Sequence, residues 1–253
     1  MNRLTSPNVP WPSQMANSQR QAAALGFRQS PESSALTYQL TAPVHYEPNY
    51  AYPLLVWLHS AGDDQRQLLR VMPHVSLRNY VAVGPQGVVT EPCGYSYCWS
   101  GDLASPEAAW RRVHQAIDVA RQRYNVNPSR VFLAGLGDGG TMALRLALSE
   151  PERFAGVVSI GGAFPQNCAA LSRLNSARDL PLLIMRGLES SDYPESQMCD
   201  EIRLFHAARM QVHVRQYTCG DDLIVPMLRD LDSWLMEQVT GAPVLAESDA
   251  APA

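Results

Sequence analysis

A glycine-rich turn, Gly135-Leu136-Gly137-Asp138-Gly139-Gly140, follows an apolar run that begins at Val131. Two kinds of chemistry use a strand, a turn of small residues and a helix in this order. The first is a phosphate cradle, in which backbone N–H groups at a helix N-terminus hold the anion. The second is a sharp turn in the pattern glycine-x-nucleophile-x-glycine, which presents a catalytic side chain.

The phosphate cradle fits this turn poorly. The turn is shorter than a P-loop, and no lysine follows it. It also sits on a middle strand, and no acidic residue closes a later strand at the spacing that a dinucleotide site needs. The nucleophile turn is therefore the favoured interpretation, and in that frame Gly137 stands where the attacking side chain should be.

The elements that must position this turn follow from hydrophobic patterning. Near-continuous apolar runs, typical of strands covered on both faces, occur at 53–59, 80–85, 131–135, 156–161, 181–187 and 212–217. Helical periodicity occupies 106–124, 139–148, 195–210 and 226–239. Residues 36–46 alternate and predict an antiparallel edge hairpin. This order predicts an α/β protein with a central, mostly parallel sheet, helices on both faces and ligands at the carboxyl ends of the strands.

Composition excludes several classes of function. All 20 basic residues are arginines scattered along a chain of net charge −4, which argues against a nucleic-acid partner. No apolar run approaches the roughly 18 residues of a membrane helix, so no membrane partner is expected. The first residues lack the apolar core of a signal peptide, and five cysteines are an odd number for a disulfide framework. These features predict a cytoplasmic protein, with a weakly ordered arm (1–34) and a disordered tail (241–253) around one domain (35–240).

The chain resembles the carboxylesterase/phospholipase branch of the α/β hydrolases, near dienelactone-hydrolase-like and polyhydroxybutyrate-depolymerase-like esterases. The resemblance runs from about residue 50 to 240. It is carried by the order and spacing of the segments PLLVWLHSAGDD (53–64), NPSRVFLAGLGDGG (127–140), FAGVVSIGGAFP (154–165), PLLIMRG (181–187) and RDLDSWLMEQV (229–239). It implies an α/β-hydrolase fold and no cofactor.

The resemblance also implies a place for each working part of a hydrolase. The oxyanion loop is His59-Ser60-Ala61-Gly62, in which Ser60 replaces a glycine. Backbone N–H groups of this loop and of Asp138 would hold the developing oxyanion. The nucleophile position is Gly137. The acid position falls on Ser190 and the base position on Asp221.

All three triad positions therefore carry residues that cannot perform the family's chemistry. The leading hypothesis is a catalytically inactive relative, a pseudoenzyme with a degenerate triad. Its pocket would bind a small ester, acyl or aromatic ligand, or a protein partner. The alternative is an active ester hydrolase that uses displaced residues. A third hypothesis is a subunit that stabilises an active paralogue or forms a homo-oligomer.

The sequence favours an inactive protein over an active hydrolase that uses displaced residues. Ser60 lacks the small preceding residue that a nucleophile turn needs, and Asp138 lies one position past the nucleophile site. His59 is interpreted as a structural residue of the oxyanion loop. No two histidines have the i, i+4 spacing of a metal helix, so no metal site is predicted. Asp192 is interpreted as part of a capping box with Glu195.

The long loop after the second predicted strand contains two cysteines and several aromatic residues. Cys93 and Cys98 flank the segment Gly94-Tyr95-Ser96-Tyr97. Free thiols are favoured over a disulfide or half of a metal site. The aromatic side chains of Tyr95, Tyr97 and Trp99 are predicted to line the mouth of the pocket.

Overall fold

The computed structural model describes residues 36–90, 97–99, 106–165 and 174–241. The predicted N-terminal arm lies outside these ranges, as does the predicted C-terminal tail apart from Gly241. Within the described residues, no helix is both long and apolar enough to span a membrane.

The strands of the central sheet are β1 (Tyr38–Thr41), β2 (Tyr52–Leu58), β3 (Val81–Pro85), β6 (Val126–Leu136), β7 (Gly156–Ile160), β8 (Leu182–Gly187) and β9 (Val212–Tyr217). They lie side by side in the order β1-β3-β2-β6-β7-β8-β9. Only β1 pairs antiparallel, and the other neighbours are parallel. The strands β4 (Val89–Thr90) and β5 (Tyr97–Cys98) form a small separate pair.

The helices are α1 (Gln67–Val75), α2 (Pro106–Arg123), α3 (Asp138–Ser149), α4 (Leu174–Ala177), α5 (Glu195–Ala207) and α6 (Val225–Thr240), with a 3-10 turn at Pro151–Arg153. Buried side chains of α2, α3, α4 and α5 pack on one face of the sheet. Those of α1 and α6 pack on the other face. This arrangement is the α/β-hydrolase fold, and it confirms the predicted mostly parallel sheet with helices on both faces.

Two local predictions need correction. The segment 36–46 contains one strand, β1, which is an antiparallel edge strand as predicted but pairs with β3 and does not form a local hairpin. The capping box is absent because the N-cap of α5 is Pro194.

The order of strands places three loops on one edge of the sheet. The carboxyl ends of β6, β8 and β9 lead to Gly137, to Ser190 and to Asp221. Because these strands are parallel, all three loops leave the sheet at the edge where ligands of such sheets bind.

Candidate functional site

Gly137 lies where β6 ends and α3 begins, and the backbone turns sharply there. Its φ is 57° and its ψ is −122°. Glycine adopts this conformation readily, whereas other residues lose about 1–3 kcal/mol in it. The Gly137 N–H donates to the carbonyl of Ile160 (2.8 Å), and the Gly137 carbonyl accepts from the N–H of Thr141 (3.1 Å). Gly137 therefore stands at the kind of strained strand-to-helix turn that presents a nucleophile.

The glycines beside Gly137 let α3 approach the sheet closely. A Cβ atom added at Gly139 would lie 2.4 Å from the carbonyl oxygen of Leu58, and one at Gly135 would lie 2.4 Å from backbone atoms of Gly139. In contrast, a Cβ atom at Gly137 would meet no atom closer than the Cβ of Ser60, at 4.0 Å. Position 137 therefore has room for a side chain, although its flanking glycines do not.

His59 is fully buried, and both of its ring nitrogens are occupied. Its Nδ1 donates to the carbonyl of Ser60 (2.8 Å), and its Nε2 accepts from the N–H of Gly87 (2.8 Å). Burial lowers the pKa of the imidazole, so the ring is neutral at pH 7. These contacts give His59 a structural role in the oxyanion loop and leave neither nitrogen available as a general base.

Ser60 is held by a polar chain that extends into the core. Its hydroxyl accepts a hydrogen bond from Nε2 of Gln67 (3.0 Å). The other end of the Gln67 amide accepts from the indole N–H of Trp57 (2.7 Å). The first residue of α1 therefore fixes the oxyanion loop, a role that the sequence pattern does not indicate.

The carboxylate of Asp138 faces the oxyanion loop. It accepts a hydrogen bond from the Trp99 N–H (2.7 Å). Burial raises the pKa of this carboxyl group, while the backbone N–H groups of Trp99, Gly139 and Ala61 oppose the shift. Ala61 belongs to the loop whose N–H groups are predicted to hold an oxyanion. The carboxyl group of Asp138 therefore lies next to a predicted oxyanion donor.

The segment 97–99 is fastened to the same loop. Tyr97 exchanges hydrogen bonds with Asp63 and Gly62, both at 3.1 Å. The fully buried indole of Trp99 donates to the carbonyl of His59 (3.0 Å). Trp99 therefore covers the oxyanion loop from within the core. Tyr95 and Cys93 lie outside the described residues, so the preference for free thiols over a Cys93–Cys98 disulfide stays a prediction.

Ser190 and Asp221, which are 31 residues apart in the chain, are in direct contact. The hydroxyl of Ser190 donates to the carboxylate of Asp221. The same carboxylate accepts from the hydroxyl of Ser191 (2.8 Å), from its N–H (3.1 Å) and from the N–H of Asp192 (3.3 Å). Where the resemblance implies an acid on the first loop and a base on the second, the structure has a hydroxyl on the first and an acid on the second.

These hydrogen bonds change the acidity of Asp221. Burial acts to raise its pKa, but the donors from Ser190, Ser191 and Asp192 outweigh that effect, and the pKa lies below its usual value. Because the pKa of Asp221 is lower in the folded than in the unfolded protein, its hydrogen bonds stabilise the fold at pH values above the unfolded-state pKa of about 3.9. This stabilisation is lost as the pH falls through the folded-state pKa.

We expect Asp221→Asn to destabilise the protein at pH 7 by less than ~1 kcal/mol, since the carboxylate is exposed. The difference from the natural chain should shrink as the pH falls below about 3.9. Chemical denaturation between pH 2.5 and 7 measures it. Asp222→Asn removes a neighbouring exposed charge and serves as the control. If the stability of the two variants depended on pH in the same way, the hydrogen bonds to Asp221 would not be the cause of its lowered pKa.

Sequence reasoning missed Arg186 as a site residue. It is only 2% exposed, in β8, one residue before the loop that carries Ser190. The segment PLLIMRG was predicted to be buried on both faces, so its single arginine was the available signal: arginine is almost never fully buried unless it is paired.

Two further observations concern ligands. Among the described residues, no three histidine, cysteine, aspartate or glutamate side chains are grouped as a metal site would require. A shallow groove of about 270 Å³ lies beside Tyr50, Tyr52, Arg78 and Met236. It adjoins the amino end of β2 and is therefore remote from the loops of Gly137, Ser190 and Asp221, so the predicted strand-end pocket stays a prediction.

Comparisons with known proteins agree with this architecture. A family model described as phospholipase/carboxylesterase matches residues 44–236. A probable carboxylesterase of Oryza sativa subsp. japonica is 25% identical over 234 residues, covering 78% of this chain and 94% of that protein. The putative esterase NocK of Nocardia uniformis subsp. tsuyamanensis is 34% identical over 123 residues, covering 45% of this chain and only 33% of that protein.

Solved structures show the same fold. The crystal structure of SOBER1 from Arabidopsis thaliana superposes with a TM-score of 0.64 at 21% identity, covering 75% of this chain and 100% of that chain. A carboxylesterase of Bacillus cereus superposes with a TM-score of 0.63 at 16% identity, covering 81% and 95%. Since the family model spans well over half of the sequence, this chain belongs to the phospholipase/carboxylesterase family of α/β hydrolases.

Proposed function

We propose that this chain is a non-catalytic member of the phospholipase/carboxylesterase family that keeps the hydrolase scaffold as a binding protein. The observation that carries the proposal is Gly137. The backbone there has the sharp turn of a nucleophile elbow, with φ at 57°, and space for a side chain, but the residue has no atom that could attack an ester.

The distribution of histidines supports inactivity. All six lie among the described residues. His59 has both ring nitrogens occupied. The others lie in the loop after β1, in α1, α2 and α5, and at the beginning of β9; they are His45, His74, His114, His206 and His213. None lies in the loops that follow β6, β8 and β9, where a base would have to meet position 137.

Displaced nucleophiles gain no support from the contacts. The Ser60 hydroxyl is bonded to the amide of Gln67, which cannot act as a base. The Asp138 carboxylate points to the Trp99 N–H. An active hydrolase would need a free base next to one of these groups. The neighbouring His59 has both ring nitrogens occupied, and the other histidines lie outside the strand-end loops.

The ligand of the proposed binding protein is a small ester, acyl or aromatic molecule, or a protein partner. The family's fold places such sites at the carboxyl ends of the strands. There, Asp138 and Asp221 introduce carboxylates at the oxyanion and base positions. Negative charge at these positions disfavours a developing oxyanion, whereas it does not prevent the binding of a neutral molecule.

A fluorophosphonate probe tests the proposal directly. We expect the natural protein to remain unlabelled by intact mass after long incubation with excess probe, with an active carboxylesterase treated in parallel as the positive control. A weak esterase rate alone would not decide the matter, because binding and an oxyanion hole give about 10³–10⁴-fold acceleration over water without a triad. Stoichiometric labelling of any serine, located by peptide mapping, would refute the proposal.

A further inference from the structure

The guanidinium of Arg186 is buried, and most of its donors are unused by the residues that the structure describes. The residue is 2% exposed, and neither its Nε nor its Nη1 has a hydrogen-bond partner among those residues. Its Nη2 donates to the carbonyl of Leu188 (3.2 Å). Of the five N–H bonds of a guanidinium, the one on Nε and the two on Nη1 are thus left without an acceptor in the described part of the chain.

Glu201, a buried acid that shares the neighbour Tyr193 with Arg186, accepts hydrogen bonds from other residues. Glu201 is 6% exposed, and it accepts from the phenol of Tyr193 (2.6 Å) and from Nε2 of Gln197 (3.1 Å). Burial and the bond to Glu201 raise the pKa of Tyr193, and Arg186 opposes that shift, which places the guanidinium near the phenol. Both carboxylate oxygens of Glu201 are satisfied without Arg186.

An isolated buried charge is costly, and arginine cannot avoid the cost by losing its proton. Removing an ion from water costs several kcal/mol even after the protein relaxes. Lysine, histidine and carboxyl groups escape by becoming neutral, but a guanidinium stays charged at any ordinary pH. A guanidinium with three donors that no described residue uses is therefore suited to pair with an added anion.

A surface loop, 188–193, adjoins this group. Leu188, Glu189, Ser191 and Asp192 are exposed, and the loop is held down by the contacts of Asp221. The bond from Arg186 to the Leu188 carbonyl ties the guanidinium to the underside of this loop. An anion that enters as the loop lifts would meet the unused donors first.

We propose that Arg186 binds a small monocarboxylate beneath the loop 188–193. A carboxylate matches the planar donor array of a guanidinium. One guanidinium balances a single negative charge. A dianion such as phosphate is disfavoured by the acidic groups of the adjoining loops, which are Glu189, Asp192, Asp221 and Asp222. The proposal goes beyond the binding function above and does not depend on it, because Arg186 takes no part in the triad positions.

Thermal unfolding of the full chain tests the proposal with sodium acetate as the probe, against sodium chloride and sodium phosphate at equal ionic strength. We expect acetate at one hundred times its Kd to raise the Tm by about 5 °C or more. Chloride and phosphate should raise it by less than a third as much. Equal shifts with all three salts, or no shift with acetate, would overturn the proposal.

Two arginine variants locate the effect. Arg186→Met should weaken acetate binding at least tenfold and leave the Tm in acetate-free buffer unchanged or higher, because it removes an uncompensated buried charge. Arg203→Met is the matched control, since Arg203 is an exposed arginine on α5, and it should keep the full acetate shift. If Arg186→Met keeps the acetate shift, or lowers the Tm in acetate-free buffer by more than about 5 °C, Arg186 already has a partner and the proposal is wrong.

A direct readout does not depend on stability. In ¹⁵N-labelled protein, the Nε–H resonance of Arg186, assigned by its loss in Arg186→Met, should shift in a saturable way with acetate. The neutral ester methyl acetate should leave it unmoved. A shift of equal size with methyl acetate would show that charge recognition is not involved and would refute the assignment.

Discussion

Restoring three side chains, by Gly137→Ser, Ser190→Asp and Asp221→His, is expected to produce an esterase that fluorophosphonate labels at position 137. Removing a serine or histidine from a working triad lowers turnover by roughly 10⁶-fold. We expect the reverse change to recover at least ~10³-fold, because the elbow backbone is present but the new side chains are not held by evolved neighbours. Hydrolysis of 4-nitrophenyl acetate, with peptide mapping of the labelled site, measures the gain.

The matched control places alanine at position 137 beside the other two substitutions. Gly137→Ala and Gly137→Ser impose the same positive φ, so both should lower stability by about 1–3 kcal/mol relative to the natural chain. Only the serine can be labelled. A folded triple variant that stays unlabelled would show that Gly137, Ser190 and Asp221 are not the triad-equivalent positions.

Backbone strain explains why glycine suits position 137 in the natural chain. A catalytic serine at the elbow is held in an unfavourable backbone conformation by its surroundings, and the cost is tolerated for the reaction it performs. Glycine adopts the same φ and ψ freely. Once the reaction is absent, glycine at position 137 keeps the turn and removes the strain, while the room for a side chain remains.

The sheet could be predicted from the sequence because its strands are buried on both faces. Burial of this kind leaves few polar positions in a strand, so β2 is an unbroken apolar run, and only Ser159 in β7 and Arg186 in β8 interrupt the others. The helix α1, whose bounds were not predicted, has a weaker sequence signal. It is short, and although Leu68, Val71, Met72 and Val75 have helical spacing, Pro73 within its last turn argues against a helix on local propensity.

The candidate site could be predicted only in outline. The positions Gly137, Ser190 and Asp221 follow from motif spacing, but the bond between Ser190 and Asp221 joins loops 31 residues apart. The same holds for Asp138, whose carboxylate meets the Trp99 N–H from a segment 39 residues earlier. Such contacts depend on the paths of loops between elements, and loop paths have no periodicity in sequence.

Asp138→Asn, added to the triple variant, is expected to raise ester hydrolysis by a further factor of about 10². The Asp138 carboxylate faces the backbone N–H groups of the oxyanion loop, including that of Ala61. In general, two negative charges about 4 Å apart repel each other by ~4 kcal/mol at an effective dielectric constant of about 20, so removing a charge beside the oxyanion should lower the barrier. Asparagine removes the charge and keeps an oxygen that can accept from the Trp99 N–H. The gain should appear in kcat rather than in KM, because the repulsion develops only as the oxyanion forms.

The same substitution in the natural chain separates the electrostatic effect from a structural one. Burial raises the pKa of Asp138, which means that the folded protein disfavours the charged form, so Asp138→Asn should not lower stability at pH 7. It should also leave the natural protein unlabelled by fluorophosphonate, since position 137 still lacks a nucleophile. If the substitution unfolds the protein, or if it changes KM and not kcat in the triple variant, Asp138 supports the loop and does not oppose an oxyanion. If it acts on kcat alone, the chain lost its hydrolytic function in two separable ways, by deleting the nucleophile and by placing a carboxylate against the oxyanion donors.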